Sequence, residues 1–338
     1  MKSAAVLADA AGLRLRDDGT PVPEVLVLDL TRPVPDGVLD AISPAAIAFG
    51  VGDGPLSPAA RRVARELTCT VVPAGAEGSP AEVGVADPPG AVAELVAAVR
   101  RCPRAAVTLA ALLRVVTQVP VRDALALESA AYSTLLAGAE FGGWLTGRPR
   151  PAPAVELGPA VRIERDRAAL EIVLDRPGRR NAFGRALRDG LIEAFDLALG
   201  DASIERVRLR GAGPAFCSGG DLAEFGTSAD VSTAHLIRLD RSVAARIDRC
   251  QERVEAHLHG ACIGAGVEIP SFAGRVVARP DAFFQLPELA MGLIPGAGGT
   301  VGITRRIGRW RLAHLALTGR RLDVVDALDW GLIDAIVD

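Results

Sequence analysis

Two acidic residues lie twenty positions apart in this 338-residue chain, and each is next to a glycine-rich turn. Glu268 ends the segment 260–268, and Glu288 precedes the glycine-rich stretch 292–299. A third small-residue turn covers residues 215–222. Glycine lets a backbone approach a ligand closely, and amides at the start of a helix point at negative charge. Carboxylates beside such amides can perform acid–base chemistry on a carbonyl that becomes an oxyanion.

Both carboxylates lie among apolar neighbours, Glu268 between Val267 and Ile269 and Glu288 beside Leu289. Burial of a carboxylate is costly and raises its pKa, which suits a group that must gain and lose a proton near neutrality. Each motif alone is also typical of a plain loop or of a close-packed helix start. The three motifs in this order favour an enzyme.

The elements that must position these residues are those of an α/β protein. The main boundary is the proline-rich segment 146–160, and a second glycine- and proline-rich zone covers 74–90. Before the boundary, the hydrophobic pattern predicts strands at 24–30, 45–51 and 68–72 and helices at 57–67, 90–101, 104–116 and 121–145. After it, the pattern predicts a hairpin at 161–175, helices at 181–199 and 231–247, and strands at 206–210 and 253–259.

The composition excludes several classes of function. A net charge of −3 does not indicate nucleic-acid binding. We expect no membrane-spanning helix, because no long apolar run occurs. Five cysteines without a C-x-x-C pair, and no secretory signal, predict a reducing, cytoplasmic setting. His257 and His259 share a strand face but have no third ligand nearby, so we expect no metal site. Cys217 as a nucleophile would need a base that the sequence does not identify.

The stretch 170–334 resembles the crotonase (enoyl-CoA hydratase/isomerase) superfamily. The resemblance is carried by residues 174–182, 215–222, 260–268 and 284–300. It implies a crotonase-like ββα spiral core, with an additional α/β and helical region before it.

The resemblance also implies roles for individual residues. The amides of Gly220 and Ala265 would hold the thioester oxygen of an acyl-CoA, although Ala265 stands where glycine is common. Glu288 would exchange the proton at the α-carbon, and Glu268 would activate the water that adds at the β-carbon. The other implied substrate-binding positions are Ala215, Phe216, Ser218, Gly219, Asp221, Leu222, Gly264, Pro287 and Gly296.

Because both glutamates match, the resemblance implies an enoyl-CoA hydratase acting on a trans-2-enoyl-CoA. The alternatives are an isomerase that relies on Glu288, a hydrolase or a cofactor-free oxygenase, and a non-catalytic acyl-CoA-binding subunit. Coenzyme A would enter only as part of the substrate, with no other cofactor and no metal. We expect a homotrimer or a dimer of trimers.

The region before residue 151 has an unusual arrangement. Residues 87–150 resemble the helices that follow the core in other crotonases, which predicts a rearranged order in which these helices cover the core 151–338. Residues 1–86 are either a degenerate crotonase copy or an unrelated α/β region.

Overall fold

The computed structural model describes residues 14–17, 19–22, 24–34, 46–149, 158–228 and 230–338. The predicted α/β class is confirmed, with a parallel sheet before the linker and a mostly parallel one after it. Parts of the predicted region 1–86 and of the linker 146–160 lie outside the described residues. The predicted divisions at residues 86 and 150 stay predictions.

The first part of the chain forms a small parallel sheet beside a two-stranded ribbon. The ribbon consists of β1 (Arg14–Leu15) and β2 (Pro21–Val22). The sheet has the order β3 (Val25–Asp29), β4 (Ile47–Val51), β5 (Cys69–Pro73) and β6 (Glu82–Val85), and α1 (Pro58–Glu66) connects β4 to β5. Strand β6 was not predicted from the sequence, because its buried Glu82 breaks the apolar pattern. The Glu82 carboxylate accepts from Arg61 Nε at 3.1 Å and from Gly78 N at 3.0 Å.

Between the small parallel sheet and the linker, the described residues form four further helices: α2 (Pro88–Arg101), α3 (Pro103–Val115), α4 (Val121–Leu136) and α5 (Ala139–Thr146). The prediction of one long helix over 121–145 was wrong. The chain is extended at Gly138, with φ −82° and ψ 156°, so α5 begins as a separate helix. The break turns the chain between the two helices.

The main sheet of the second part has six strands in the order β15 (Ala335–Ile336), β12 (Arg275–Ala278), β10 (Val254–Leu258), β9 (Arg206–Gly211), β8 (Ala169–Leu174) and β7 (Val161–Asp166). β7 and β8 form the predicted antiparallel hairpin, and the other neighbours are parallel. A smaller sheet joins β11 (Ala261–Ile263), β13 (Phe283–Gln285) and β14 (Leu322–Asp323).

The helices of this part are α6 (Arg185–Gly200), α7 (Val231–Asp240), α8 (Val243–Arg249), α9 (Ala265–Glu268), α10 (Gly299–Thr318) and α11 (Val324–Trp330). The predicted helix 181–199 begins later, because Asn181 has φ +53° and its Nδ2 donates to three carbonyls of the turn around Ala215. The predicted helix 231–247 is two helices, since Ser242 caps α8 by accepting from Ala245 N at 3.1 Å.

Helix α10 connects the two parts of the chain. It packs on α9 and also on β5 and β6. Past a bend at Gly308 (φ +81°), Arg309 donates to the carbonyl of Leu67 at 3.1 Å and Trp310 Nε1 to that of Arg65 at 3.1 Å. The ring of Trp310 also packs against the apolar core of the small parallel sheet. Among the described residues, no helix combines the length and the apolar character needed to cross a membrane.

Candidate active site

The turn after β9 presents the amide of Gly220. Phe183 N donates to Gly219 O at 2.7 Å, and Asp221 N donates to Phe183 O at 3.0 Å. Successive amides of an extended segment point to opposite sides, so the Gly220 N–H points away from Phe183. Glycine is needed here, because a Cβ would lie 2.6 Å from the ring of Phe225.

The second amide belongs to Ala265, the first residue of α9. Gly264 before it has φ +51° and ψ −118°, a conformation that glycine adopts readily, and its N–H donates to Gln285 O at 2.9 Å. The amides of the first helical turn have no partner within the helix, which leaves the Ala265 N–H for a ligand. Together with Gly220, it can stabilise a developing oxyanion.

Glu268 ends α9 and is 3% exposed. Its Oε2 accepts from Ala297 N at 2.7 Å and from Gly299 N at 3.0 Å, at the start of α10. A Cβ on Gly299 would lie 2.6 Å from Glu268 Cγ, so glycine is required for this contact. The two amides fix the position of the carboxylate.

Glu288 begins a short 3-10 helix, Glu288–Met291, just after Pro287, and is 9% exposed. Its Oε1 lies against Gly264, where a Cβ would be 2.5 Å away. Its Oε2 is buried, and no residue in the described part of the chain donates to it or accepts from it. A buried carboxyl oxygen without a partner is suited to exchange a proton with a bound molecule.

A third carboxyl at the site comes from α4 and was missed by sequence analysis. Glu128 is 2% exposed; its Oε1 accepts from Gly298 N at 2.7 Å, and its Oε2 accepts from Thr300 N at 2.9 Å and from Thr300 Oγ at 2.6 Å. The four amides 297–300 thus alternate between Glu268 and Glu128. The available signal was that Glu128 shares a helix face with the buried Ala124 and Leu125.

The three carboxyls are close enough to influence one another. Burial raises the pKa of Glu268 to about 7, although the N–H groups of Ala297 and Gly299 act in the opposite direction. Burial, and then the charge of Glu268, raise the pKa of Glu128 to about 8. Burial also raises the pKa of Glu288 well above its ordinary value, and the charge of Glu268 adds to the shift. Burial therefore favours the protonated form of all three carboxyls relative to a carboxyl in water.

The raised pKa of Glu268 predicts a pH-dependent effect on stability. Between about pH 5 and pH 7 the unfolded chain ionises Glu268 while the folded chain keeps it protonated, so its ionisation costs stability as pH rises. Glu268→Gln has no such cost, and one Gln oxygen can accept both N–H groups. We expect the stability of this variant relative to wild type to rise by roughly 1.4 kcal/mol per pH unit over that window. Urea unfolding from pH 5 to pH 8 measures this, and a constant difference would contradict it.

These groups face one cavity of about 610 Å³. Of the residues singled out in the sequence, Glu268, Glu288, Gly220, Ala265 and Gly296 line it. The α4 helix forms another wall, with Glu128, Ser129 and Tyr132. Phe225, which lies over Gly220, also lines the cavity and packs against Phe141 and Trp144 of α5. The helices before the linker therefore pack on this chain's own core and complete the cavity.

The remaining predicted substrate-binding residues do not line the cavity: Ala215, Phe216, Ser218, Gly219, Asp221, Leu222, Gly264 and Pro287. Their contacts with substrate stay predictions. Ala215 and Phe216 are buried under the turn, where their carbonyls accept from Asn181. Asp221 pairs with Arg179 at 2.7 Å, and Leu222 is 40% exposed. Ser218 and Gly219 shape the turn through backbone bonds, while Gly264 and Pro287 position Ala265 and Glu288.

Other candidate groups have local partners. Cys217 is buried, which raises the pKa of its thiol to about 12. His257 Nε2 lies 2.5 Å from Glu255 Oε1, and His259 Nε2 lies 2.9 Å from Gly213 O. None of the three lines the cavity.

Comparison with known proteins agrees with this geometry. The model of the enoyl-CoA hydratase/isomerase family matches residues 164–338. The chain belongs to that family. A crystal structure of an enoyl-CoA hydratase from Thermoplasma volcanium superposes with a TM-score of 0.50 at 33% identity, over 54% of this chain and 73% of that one.

The similar curated proteins differ in activity. A probable mitochondrial enoyl-CoA hydratase of Arabidopsis thaliana is 32% identical, over 51% of this chain and 58% of its own length. The 2,3-dehydroadipyl-CoA hydratase of Escherichia coli is 30% identical, over 52% of this chain and 68% of its own. A mouse Δ(3,5)-Δ(2,4)-dienoyl-CoA isomerase is 32% identical, over 49% and 55% respectively. The chain thus spans little more than half of some of its relatives' length, and they include both hydratases and isomerases.

Proposed function

We propose that the protein is an enoyl-CoA hydratase, which adds water across the 2,3 double bond of a trans-2-enoyl-CoA. The observation that supports this most is the presence of two buried carboxyls, Glu268 and Glu288, in one cavity with the amides of Gly220 and Ala265. An isomerase needs a group that moves the α-proton, whereas hydration also needs a group that activates water. Similar proteins that are named hydratases agree with the proposal.

The proposed reaction uses each of these groups once. The Gly220 and Ala265 N–H groups hold the thioester oxygen, where negative charge develops as water attacks; one such donor contributes about 2.7–4 kcal/mol. Ionised Glu268 takes a proton from the water, whose oxygen bonds to the β-carbon. Protonated Glu288 gives its proton to the α-carbon, and the proton on Glu268 then returns to Glu288 through solvent. The pKa of Glu268 near 7, and that of Glu288 well above the ordinary value, support these assignments.

The second candidate is an enoyl-CoA isomerase. It is favoured by the Glu288 oxygen that has no hydrogen-bond partner among the described residues. The Glu288 carboxyl could move a proton between two carbons of the substrate without help from Glu268. The similarity to a dienoyl-CoA isomerase points the same way. The hydrolase and oxygenase alternatives have no comparable observation in their favour. A purely binding subunit would not need two carboxyls buried at such cost.

We also propose a homotrimer or a dimer of trimers in the cytoplasm. Helix α7 presents Leu236 and Ile237 to solvent, 62% and 38% exposed, which a neighbouring subunit could cover. All five cysteines are buried and unpaired, in agreement with a reducing compartment.

The test is the loss of ultraviolet absorbance of the conjugated enoyl-thioester, followed with crotonyl-CoA and longer trans-2-enoyl-CoAs. Formation of the 3-hydroxyacyl-CoA product is confirmed by mass spectrometry as a gain of one water. A 3-enoyl-CoA is assayed in parallel, and conversion to the 2-enoyl isomer without water gain would favour the isomerase. Binding of acyl-CoAs with no turnover of either substrate would reject both catalytic assignments.

A further inference from the structure

The walls of the cavity contain several arginines, of which Arg185 is exposed and has no ion pair within the described residues. Arg122 lies 3.7 Å from Asp123, while Arg188 and Arg241 lie 2.8 Å and 3.1 Å from Asp189. Arg238 of α7 is half-buried and, in the described residues, forms no ion pair. A guanidinium removed from water without an anion is costly, so a ligand that supplies one would be stabilised.

The immediate contacts of Arg238 are neutral and come from α4. Its Nε donates to Ser129 Oγ at 3.2 Å, and its Nη2 donates to Ser133 Oγ. Its Cζ lies 4.9 Å from the centre of the Tyr132 ring. Nη1 has no acceptor in the described part of the chain, although a guanidinium offers a planar fork that fits a carboxylate with two parallel hydrogen bonds.

Arg238 is also close to the reacting groups. The Tyr132 ring that it stacks on lies against Gly296, where a Cβ would be 2.3 Å from the ring. Arg238, Glu268 and Glu288 line the same cavity. The long pantetheine arm keeps the phosphates of coenzyme A away from the thioester. A cation in the wall of the cavity that holds the carboxyls can therefore meet the acyl group rather than the phosphates.

We propose that Arg238 forms a binding site for a negatively charged group at the far end of the acyl chain. The preferred substrate would then be a short trans-2-enoyl-CoA with an ω-carboxylate rather than a plain fatty enoyl-CoA. Tyr132 and Ser129 hold the guanidinium in place, and its free edge receives the carboxylate. The proposal rests on the acyl-CoA site described above, but not on hydration as the reaction.

Arg238 also bridges α7 and α4, and this bridge could be its whole function. The two roles predict different results. A bridge affects the binding of every acyl-CoA equally, whereas an anion site discriminates between acyl groups of equal size and different charge.

The experiment measures binding by calorimetry of two saturated six-carbon acyl-CoAs, one with an ω-carboxylate and one with an ω-carboxamide. Saturated thioesters cannot be hydrated, so the measurement does not depend on turnover. We expect wild type to bind the carboxylate roughly 10- to 100-fold more tightly, as is typical of a charged hydrogen-bonded pair. Arg238→Met should abolish the preference, and Arg238→Lys should retain part of it. Arg246→Met, a control arginine that pairs with Asp196 outside the cavity, should leave the preference unchanged.

Each possible outcome decides the question. Equal binding of the two ligands by wild type would overturn the proposal, whether or not Arg238→Met folds. An equal loss of affinity of Arg238→Met for both ligands and for free coenzyme A would assign the guanidinium to the phosphates or to the helix bridge. A carboxylate preference in a protein that hydrates no enoyl-CoA would uphold the acyl-end site and reject only the proposed reaction.

Discussion

Replacement of Glu288 by Gln is expected to abolish both hydration and the exchange of the α-hydrogen with solvent. The carboxyl at this position is the one with a buried, partnerless oxygen, and the amide of Gln cannot give or take a proton. A positioned acid–base group contributes roughly 10²–10⁴-fold, so kcat should fall by a factor in that range. The measurements are the absorbance assay and the uptake of deuterium at the α-carbon of an acyl-CoA in heavy water.

Glu268→Gln is the matched control, because it should lower hydration by a similar factor while α-exchange continues. The fold should survive, since one Gln oxygen can accept the N–H groups of Ala297 and Gly299. If Glu288→Gln still exchanged the α-hydrogen at the wild-type rate, Glu288 could not be the group that moves this proton. If both variants lost exchange equally, the separation of roles between the two carboxyls would be wrong.

Glu128→Gln is expected to lower the hydration rate roughly 10²-fold, because Glu128 helps to position the loop that holds Glu268. Glu128 accepts from Gly298 and Thr300, and these alternate with the two residues that hold Glu268. An amide has only one acceptor oxygen, so in the variant its NH₂ would face a donor and displace the loop. Small displacements of a catalytic group can cost about this much.

A double-mutant cycle separates this effect from general damage. Because Glu128 would act through Glu268, the double variant should be hardly slower than Glu268→Gln alone, and α-exchange should be retained. Hydrogen exchange should also accelerate at Ala297 and Gly299, whose bonds go to Glu268. Acceleration confined to Gly298 and Thr300 would show that Glu128 caps the helix without positioning the carboxyl.

The control for Glu128→Gln is Glu82→Gln in the small parallel sheet. Glu82 is fully buried and accepts from Arg61, Gly78 and Ser79, but it does not line the cavity. Its replacement should lower stability while leaving kcat within about 2-fold of wild type, because surface and core changes away from a site act mainly on folding.

The sequence predicted the elements that depend on local patterns. The hairpin 161–175, the strands near 24–30, 45–51 and 68–72, and the helices at 57–67, 90–101 and 104–116 were found within a few residues of their predicted bounds. Glu268 and Glu288 could be singled out because each is a carboxylate in an apolar segment beside glycines. This combination is visible in the order of residues along the chain.

What the sequence could not predict depends on contacts between distant segments. The carboxylate of Glu128 bonds to amides 170 and 172 residues further along the chain, and nothing near it in sequence indicates this. At Gly138 and at Ser242 one residue ends the helical conformation and begins a new helix, although the apolar pattern on both sides of it is helical. Of the turn residues 215–222, Gly220 lines the cavity, because alternate backbone groups of an extended turn face opposite ways.

The attachment of α10 to both parts of the chain sets a lower limit on the length of chain that keeps the cavity intact. A fragment trimmed to residues 164–338, the stretch that matches the family, would lose the α4 wall and leave the N–H groups of Gly298 and Thr300 without their acceptor. It would also uncover Trp310, whose indole packs against the sheet before the linker. Each buried amide left without a partner costs about 1–3 kcal/mol. Any shortened version of this chain that is meant to keep the cavity must therefore include the helices that precede the linker.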